Sequence, residues 1–305
     1  MKHVFGPVPS RRLGSSLGID LVPYKTCSFD CIYCQLGRTT NKTVVRKEYI
    51  PLTKAFAEVR EVLAKNLAVD YITLSGSGEP LLHSGIGRLI KKLKSITEIP
   101  IAVLTSASII GDSKVREELM HADLLVPSLD AATQKTFERI NRPFSGIRIN
   151  GIIEGLARFR EKFKGKIWLE IMLVKGVNDS PEDLAELKKA IKKIKPDKVQ
   201  LNTVVRPPSE DYAKPLSPER LQVIASILGA EVIAGFKRRD IAAYKGEKEE
   251  LISGLLKRRP CTIRDISSAL GIHENEVLKY IEVLVGEEKV TKERLGRKEY
   301  FKIGK

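Results

Sequence analysis

Cysteine and histidine are scarce in this 305-residue chain, at four residues each. So few cysteines, without a secretory leader, argue against a disulfide framework. Three of them fall between Cys27 and Cys34 while the fourth, Cys261, is remote, a grouping that points to a metal. The shortage of histidine is no obstacle to such a site, because thiolate ligation requires no general base. Long apolar runs are also absent: no stretch approaches the roughly 18 residues that a membrane span needs. The amino terminus, MKHVFGPVPSRRLG, has neither an apolar signal region nor a small-residue cleavage site. A cytoplasmic protein with no membrane partner is expected. Asparagine and glutamine together number only 11 beside abundant Lys and Glu, a bias of proteins from hot environments.

Positive charge is what the chain has in excess. Lys and Arg total 53 against 38 Asp and Glu; +12 of the net +15 falls on residues 1–244 and +3 on residues 245–305. Such an excess is the electrostatic footprint of a polyanion binder, since each phosphate contact releases condensed counterions. Lys-rich helical faces such as KKAIKKIKPDK (188–198) serve equally well as solvated surface. Hydrophobic residues make up 42% and charged residues 30%, the balance of a globular protein with a sizeable core. The length accommodates one domain of about 200–250 residues and a small second one.

Residues 17–22 (LGIDLV) read as a strand running into the cysteine loop. Further strands are expected at 71–75, 100–105, 124–129, 167–174 and 198–204, with helical spacing of apolar residues over 53–66, 85–96, 113–121, 150–164 and 181–194. Ser180-Pro181-Glu182-Asp183 has the chemistry of a helix start: a capping hydroxyl, proline in the first turn, and acids at the positive dipole end. Six strands alternating with helices imply an α/β fold, a partial (β/α)6 parallel barrel over residues 1–235. In such folds the chemistry gathers at the carboxyl ends of the strands. After a linker at 236–245, residues 246–305 read as helix, short helix, longer helix and hairpin, a winged helix-turn-helix pattern. Thr262 and Asp265 are the cap of its short helix and Gly271 its stop.

The cysteine motif is Cys27-Ser28-Phe29-Asp30-Cys31-Ile32-Tyr33-Cys34, spaced C-x3-C-x2-C. Soft sulfur suits iron and zinc. A structural zinc site closes with four ligands, yet no fourth Cys or His lies in the loop. Three ligands suit a cubane iron–sulfur cluster with one iron left open, whereas ferredoxin motifs close theirs with a fourth cysteine. A zinc or redox-sensing loop is the remaining alternative. Cys261 reads as a small buried residue.

With an aromatic, Tyr33, just before the last cysteine, this loop resembles the defining motif of the radical S-adenosylmethionine (SAM) superfamily. The resemblance implies a 4Fe–4S cluster on Cys27, Cys31 and Cys34, and SAM as second cofactor. Ser75-Gly76-Ser77-Gly78-Glu79-Pro80 is similar to the superfamily's Gly-Gly-Glu region, with Glu79 accepting from the methionine ammonium group; a glycine-rich turn is the plain structural reading. Thr105, Ser106 and Ser108 resemble ribose-binding positions, and Ser128 and Asp130 a segment touching the ribose and amino-acid parts, against loop-capping roles for the same residues. Glu170 fits an internally satisfied barrel carboxylate. Asn202 and Arg206 are expected in the pocket, Arg206 able to hold a substrate phosphate or carboxylate; Asn178 and Asp179 are weaker candidates. PSRRLG, SGSGEP, SLDA, INRP and RPP together resemble the wyosine-synthase-related iron–sulfur oxidoreductases over most of residues 5–210. The second-cluster cysteines of true wyosine synthases are missing upstream of Cys27, which argues against the wyosine reaction. Arg11 and Arg12 belong to this signature, as phosphate contacts or as salt bridges closing the barrel.

The resemblance implies an enzyme that takes one electron from an external donor, cleaves SAM reductively and abstracts hydrogen from a substrate, with an RNA base as the leading expectation. A glycyl-radical activase and an iron–sulfur redox sensor that binds DNA are the alternatives. The tail is expected to contact nucleic acid or protein. Its longer helix is acidic at its start (Glu274, Glu276), so phosphate contact falls to the wing residues Lys289, Lys292, Arg294, Arg297 and Lys298.

Overall fold

A computed structural model describes residues 3–10, 12–65, 67–205, 208–233, 247–258, 260–295 and 298–304. The expected linker, Arg11, Arg206 and Arg297 lie outside the described residues. Strands β1 (Val4–Ser10) and β2 (Gly14–Ile19) form an antiparallel hairpin. From β2 the sheet continues in parallel through β5 (Tyr71–Leu74), β6 (Ile101–Thr105), β7 (Leu124–Pro127), β8 (Lys166–Leu173), β9 (Lys198–Thr203) and β10 (Glu231–Val232). Two-residue strands β3 (Thr26–Cys27) and β4 (Asn41–Lys42) form a separate clasp. The strand order runs from β1 to β10 without those edges pairing, so the sheet is an open, parallel-dominated α/β layer consistent with a partial barrel.

Alternation along β8 shows how the sequence builds two faces, since successive side chains of a strand point to opposite sides. Ile167, Leu169, Ile171 and Leu173 are fully buried against the helices, while Trp168, Glu170 and Met172 occupy the other face and are half-buried. The helices α1 (Leu52–Leu63), α2 (Ile86–Lys94), α3 (Ser113–Leu119), α5 (Ile149–Lys162) and α6 (Pro181–Ile194) fall where apolar spacing places them. Ser180 caps α6, accepting from the Asp183 amide.

Two helices and β1 escape the periodicity, as do the two-residue strands β3, β4 and β10. Helix α4 (Gln134–Asn141) has few apolar positions and buries Thr136 and Asn141 along with Phe137 and Ile140. Helix α7 (Pro218–Leu228) starts on Ser217-Pro218, the same cap chemistry as α6. Strand β1 carries Pro7 and Pro9, which only an edge strand tolerates. The first expected strand, 17–22, is a correction: β2 lies at 14–19, its start set by the pairing of Gly14 with Ser10 across the hairpin, and beyond its end the Asp20 side chain accepts from the Ser77 amide.

The carboxyl-terminal residues form α8 (Glu247–Arg258), α9 (Ile263–Leu270), α10 (Glu274–Gly286) and the hairpin β11 (Val290–Leu295) and β12 (Lys298–Ile303). Their own apolar cluster includes Ile252, Leu256, Ile266, Val277, Ile281, Leu284 and Phe301. Cys261 is buried in it, hydrogen-bonded through its backbone to Phe301. Thr262 and Asp265 make a reciprocal capping box, and Gly271 ends α9 in the left-handed conformation. The start of α10 is turned onto the barrel. His273 stacks on Phe5 with ring centroids 4.7 Å apart, and Tyr280 and Val283 pack on the same ring. No helix among the described residues is long and apolar enough to cross a membrane.

Candidate active site

The loop between β3 and β4 is shaped by which of its side chains the core takes. Phe29 and Ile32 are buried, Phe29 edge-on to Phe137 of α4. With the loop anchored by these two side chains, Cys27, Cys31 and Cys34 line one cavity of about 330 Å³. Backbone bonds from Asp30 to Asn141 (3.0 Å) and from Ile32 to Ile140 (3.0 Å) fasten the loop to the end of α4. The Thr39 amide donates to Asp30 at 2.7 Å and Tyr24 Oη to the Leu36 carbonyl at 2.9 Å, closing the loop from its other side. Burial pushes the Cys27 thiol up to about 12 and the Cys31 thiol well above its ordinary value.

Opposite the sulfurs lies Gly76-Ser77-Gly78-Glu79, after β5. Its glycines are required by close approach. A Cβ on Gly78 would stand 1.9 Å from the Thr26 carbonyl oxygen, next to Cys27, and one on Gly76 (φ +147°) 2.4 Å from Cγ of Asp20. Glu79 is buried, with burial raising its carboxyl against the opposing effect of its hydrogen bonds. It accepts from the Leu81 amide at 2.9 Å, Thr105 Oγ1 at 2.6 Å, and the Ser106 amide and Oγ at 2.6 and 2.5 Å. Four protein donors thus occupy the carboxylate, which organises Thr105 and Ser106 at the end of β6.

Ser128, Glu170, Met172 and Asn202 line the cavity from β7, β8 and β9, with Arg12 on the hairpin side. Arg12 forms an ion pair with Glu170 at 2.5 Å, and Asn202 Nδ2 reaches Glu170 at 3.4 Å. Asp130 stands behind Tyr33, fully engaged. Tyr33 Oη, Asn141 Nδ2 and the Met172 amide donate to it at 2.5, 2.7 and 2.8 Å. Asn178 bridges the Asp130 and Met172 carbonyls, Asp179 accepts from the Gly176 amide, and Ser108 accepts from Ser28; these three brace loops.

The structure therefore gathers the three cysteines, Tyr33, residues 76–79, Thr105, Ser106, Ser128, Asn202 and Arg12 around one space. Sequence reasoning overlooked Lys25, whose Nζ donates to Cys34 Sγ at 3.1 Å, and Asn141, whose amide reaches Cys31 Sγ at 3.4 Å. Lys25 precedes the motif by two residues, a signal that was available; Asn141 sits on the unforeseen α4. Beside the cavity, a lobe of about 190 Å³ is walled by Ser75 and Gly76 on one side and by Asn275, Leu278 and Lys279 of α10 on the other.

Comparison with known proteins agrees with this geometry. The Radical SAM superfamily model matches residues 21–188. A UPF0026 protein of Helicobacter pylori is 32% identical over 98% of this chain and 96% of its own length. A UPF0026 protein of Methanocaldococcus jannaschii is 37% identical over 81% of this chain and 77% of its own. A Brachyspira hyodysenteriae protein named GTPase Obg is 39% identical over 96% of this chain, which spans 44% of that protein's length. Among solved structures, a radical SAM methyltransferase from Sphaerobacter thermophilus aligns with a TM-score of 0.57 at 20% identity, over 73% of this chain and 66% of the other, a likeness of fold. The chain belongs to the radical SAM superfamily and is an enzyme of that class. The cofactors of the superfamily are SAM and a 4Fe–4S cluster.

Proposed function

We propose that Cys27, Cys31 and Cys34 hold a 4Fe–4S cluster, that SAM lies between it and residues 76–79, and that the substrate is a base in RNA. The observation that carries the reading is the shared cavity: three sulfurs face the glycine loop and the polar ends of β6, β7 and β9 across about 330 Å³. The donor set fits the cluster. Among the described residues no three His, Cys, Asp or Glu side chains converge on a point that would hold a single metal ion. A cubane takes one sulfur per iron at separate corners, and three cysteines lining one cavity suit it.

When bound, the reduced cluster and SAM supply a 5′-deoxyadenosyl radical that abstracts hydrogen from the substrate. The chain's own residues place and shield. Glu79 holds Thr105 and Ser106 at the cavity wall; these residues would hold the methionine ammonium group and the ribose of the cofactor. The Arg12–Glu170 pair and Asn202 form the polar wall opposite the glycine loop. Leu104, Val126 and Met172 give the same space an apolar wall. The lobe beside α10 supplies room for a substrate ring, with Asn275 Nδ2 buried there and without a hydrogen-bond partner among the described residues.

The net charge of +12 on residues 1–244 supports RNA as substrate. The tail is read as a winged helix from its order of three helices and a hairpin. Its longer helix packs on Phe5, so the hairpin, with Lys292 and Lys298, is the face left for phosphates. That packing also counts against a DNA-reading regulator. The test is anaerobic reconstitution followed by deoxyadenosine assay with and without bulk RNA. Stimulation by RNA that depends on residues 246–305 supports the reading; turnover indifferent to RNA and to the tail rejects the RNA part.

A further inference from the structure

Lys25 is the one lysine that is buried among the described residues. Its side chain is 3% exposed, and long cationic side chains are almost never fully buried without a partner. Its backbone is in the left-handed region at φ 59°, a conformation in which glycine or asparagine avoids the clash a lysine Cβ incurs. Two backbone bonds hold it there: its amide donates to the Ser77 carbonyl at 2.7 Å, and its carbonyl accepts from the Asn41 amide at 3.1 Å. The side chain then ends with Nζ 3.1 Å from Cys34 Sγ. The sulfurs of Cys34, Cys27 and Cys31 act on it electrostatically, and Cys34 is the one within hydrogen-bond reach.

A buried ammonium needs a buried counter-charge. Here that partner is a set of three sulfurs, which carries full negative charge only when ligating metal. We infer that Lys25 tunes the bound cluster, favouring its reduced, more negative state by a fixed positive charge and a hydrogen bond to the Cys34 thiolate. The inference rests on the cluster reading given above. Hydrogen bonds to ligand sulfur and net charge are the levers by which a protein sets cluster potential. The step concerned is addition of one electron from an external low-potential donor to the oxidised cluster; no bond is made or broken, and the added charge is compensated by the ammonium already present. Lys25 also joins the cysteine loop to the glycine loop through Ser77, so its position is set by the two segments that bracket the cofactors.

The test is a redox titration of the reconstituted full-length protein, followed by low-temperature electron paramagnetic resonance, for wild type, K25M, K25Q and K25R. The equilibrium constant for reduction is expected to fall about tenfold or more in K25M and K25Q, a midpoint lower by about 59 mV for one electron. K25R is expected to stay near wild type. Equal midpoints in wild type and both neutral variants, at equal iron content, overturn the inference. Loss of iron from both neutral variants but not from K25R assigns Lys25 to cluster assembly and overturns the tuning role. A wild-type protein that holds no cluster rejects the reading of the site itself, a separate outcome.

Discussion

Tyr33 Oη donates to Asp130 Oδ2 at 2.5 Å, tying the cysteine loop to the end of β7. Asp130 in turn takes the Met172 amide of β8 and the Asn141 amide of α4. One buried carboxylate thus joins the cysteine loop, two strands and a helix. Tyr33→Phe leaves Asp130 with one donor fewer and is expected to cost about 1–3 kcal/mol of stability, read by urea unfolding of the apoprotein. An unchanged midpoint would show that the bond contributes nothing.

The same carboxylate gives a pH signature. Burial raises Asp130 from 3.8 to about 6, with the Tyr33 and Asn141 hydrogen bonds acting the other way. The folded state therefore binds more protons than the unfolded chain between these values, so this group's contribution to stability falls as pH rises through that window. Across it, wild-type protein is expected to lose stability relative to Asp130→Asn. A difference between the two proteins that is flat with pH contradicts the assignment.

Glu79 makes a second, sharper prediction. Glu79→Gln puts an amide donor where four donors already converge, so at least one buried donor is left unpaired. The expected outcome is about 1–3 kcal/mol of destabilisation and at least tenfold weaker SAM binding by calorimetry, with iron content unchanged. Normal SAM affinity would place the cofactor elsewhere.

Gly78 is predicted to tolerate no side chain. In Gly78→Ala the methyl group meets the Thr26 carbonyl at 1.9 Å, which forces the glycine loop away from Cys27. Iron incorporation and SAM binding should both fall several-fold. Wild-type values for both would mean that the loop relaxes freely.

Docking of the tail depends on Phe5. Phe5→Ala removes the ring on which His273, Tyr280 and Val283 pack, a loss of about 3–5 kcal/mol at most for a buried aromatic. Hydrogen exchange in α10 should accelerate while β5 to β9 keep their protection. Equal protection of α10 in both proteins contradicts a docking role for that ring.

Much of this site was legible in the chain because its chemistry is concentrated in short motifs. Cys27 to Cys34 and SGSGEP declare themselves by residue type and spacing, and β-branched runs place the strands whose ends carry Thr105, Ser128 and Asn202. The partners of Glu79, Thr105 and Ser106, come from a neighbouring strand, a relationship that spacing does not encode. Asp130 was read as a cofactor contact and stands behind Tyr33, because α4, whose polar burial hides its periodicity, fills the space with Asn141. Strand β1 was hidden by Pro7 and Pro9, and with it the surface that receives α10. Glu170 is expected as an internally satisfied carboxylate and Arg12 as a phosphate contact or a salt bridge closing the barrel, and the two form a pair with each other.

The most direct test of the account is deoxyadenosine formation. The protein is reconstituted anaerobically with iron and sulfide, reduced and given SAM, with Cys31→Ala alongside. The account predicts a cluster and deoxyadenosine in the wild type and no deoxyadenosine in the variant. A wild-type protein that binds no cluster, or a variant that cleaves SAM equally well, contradicts it.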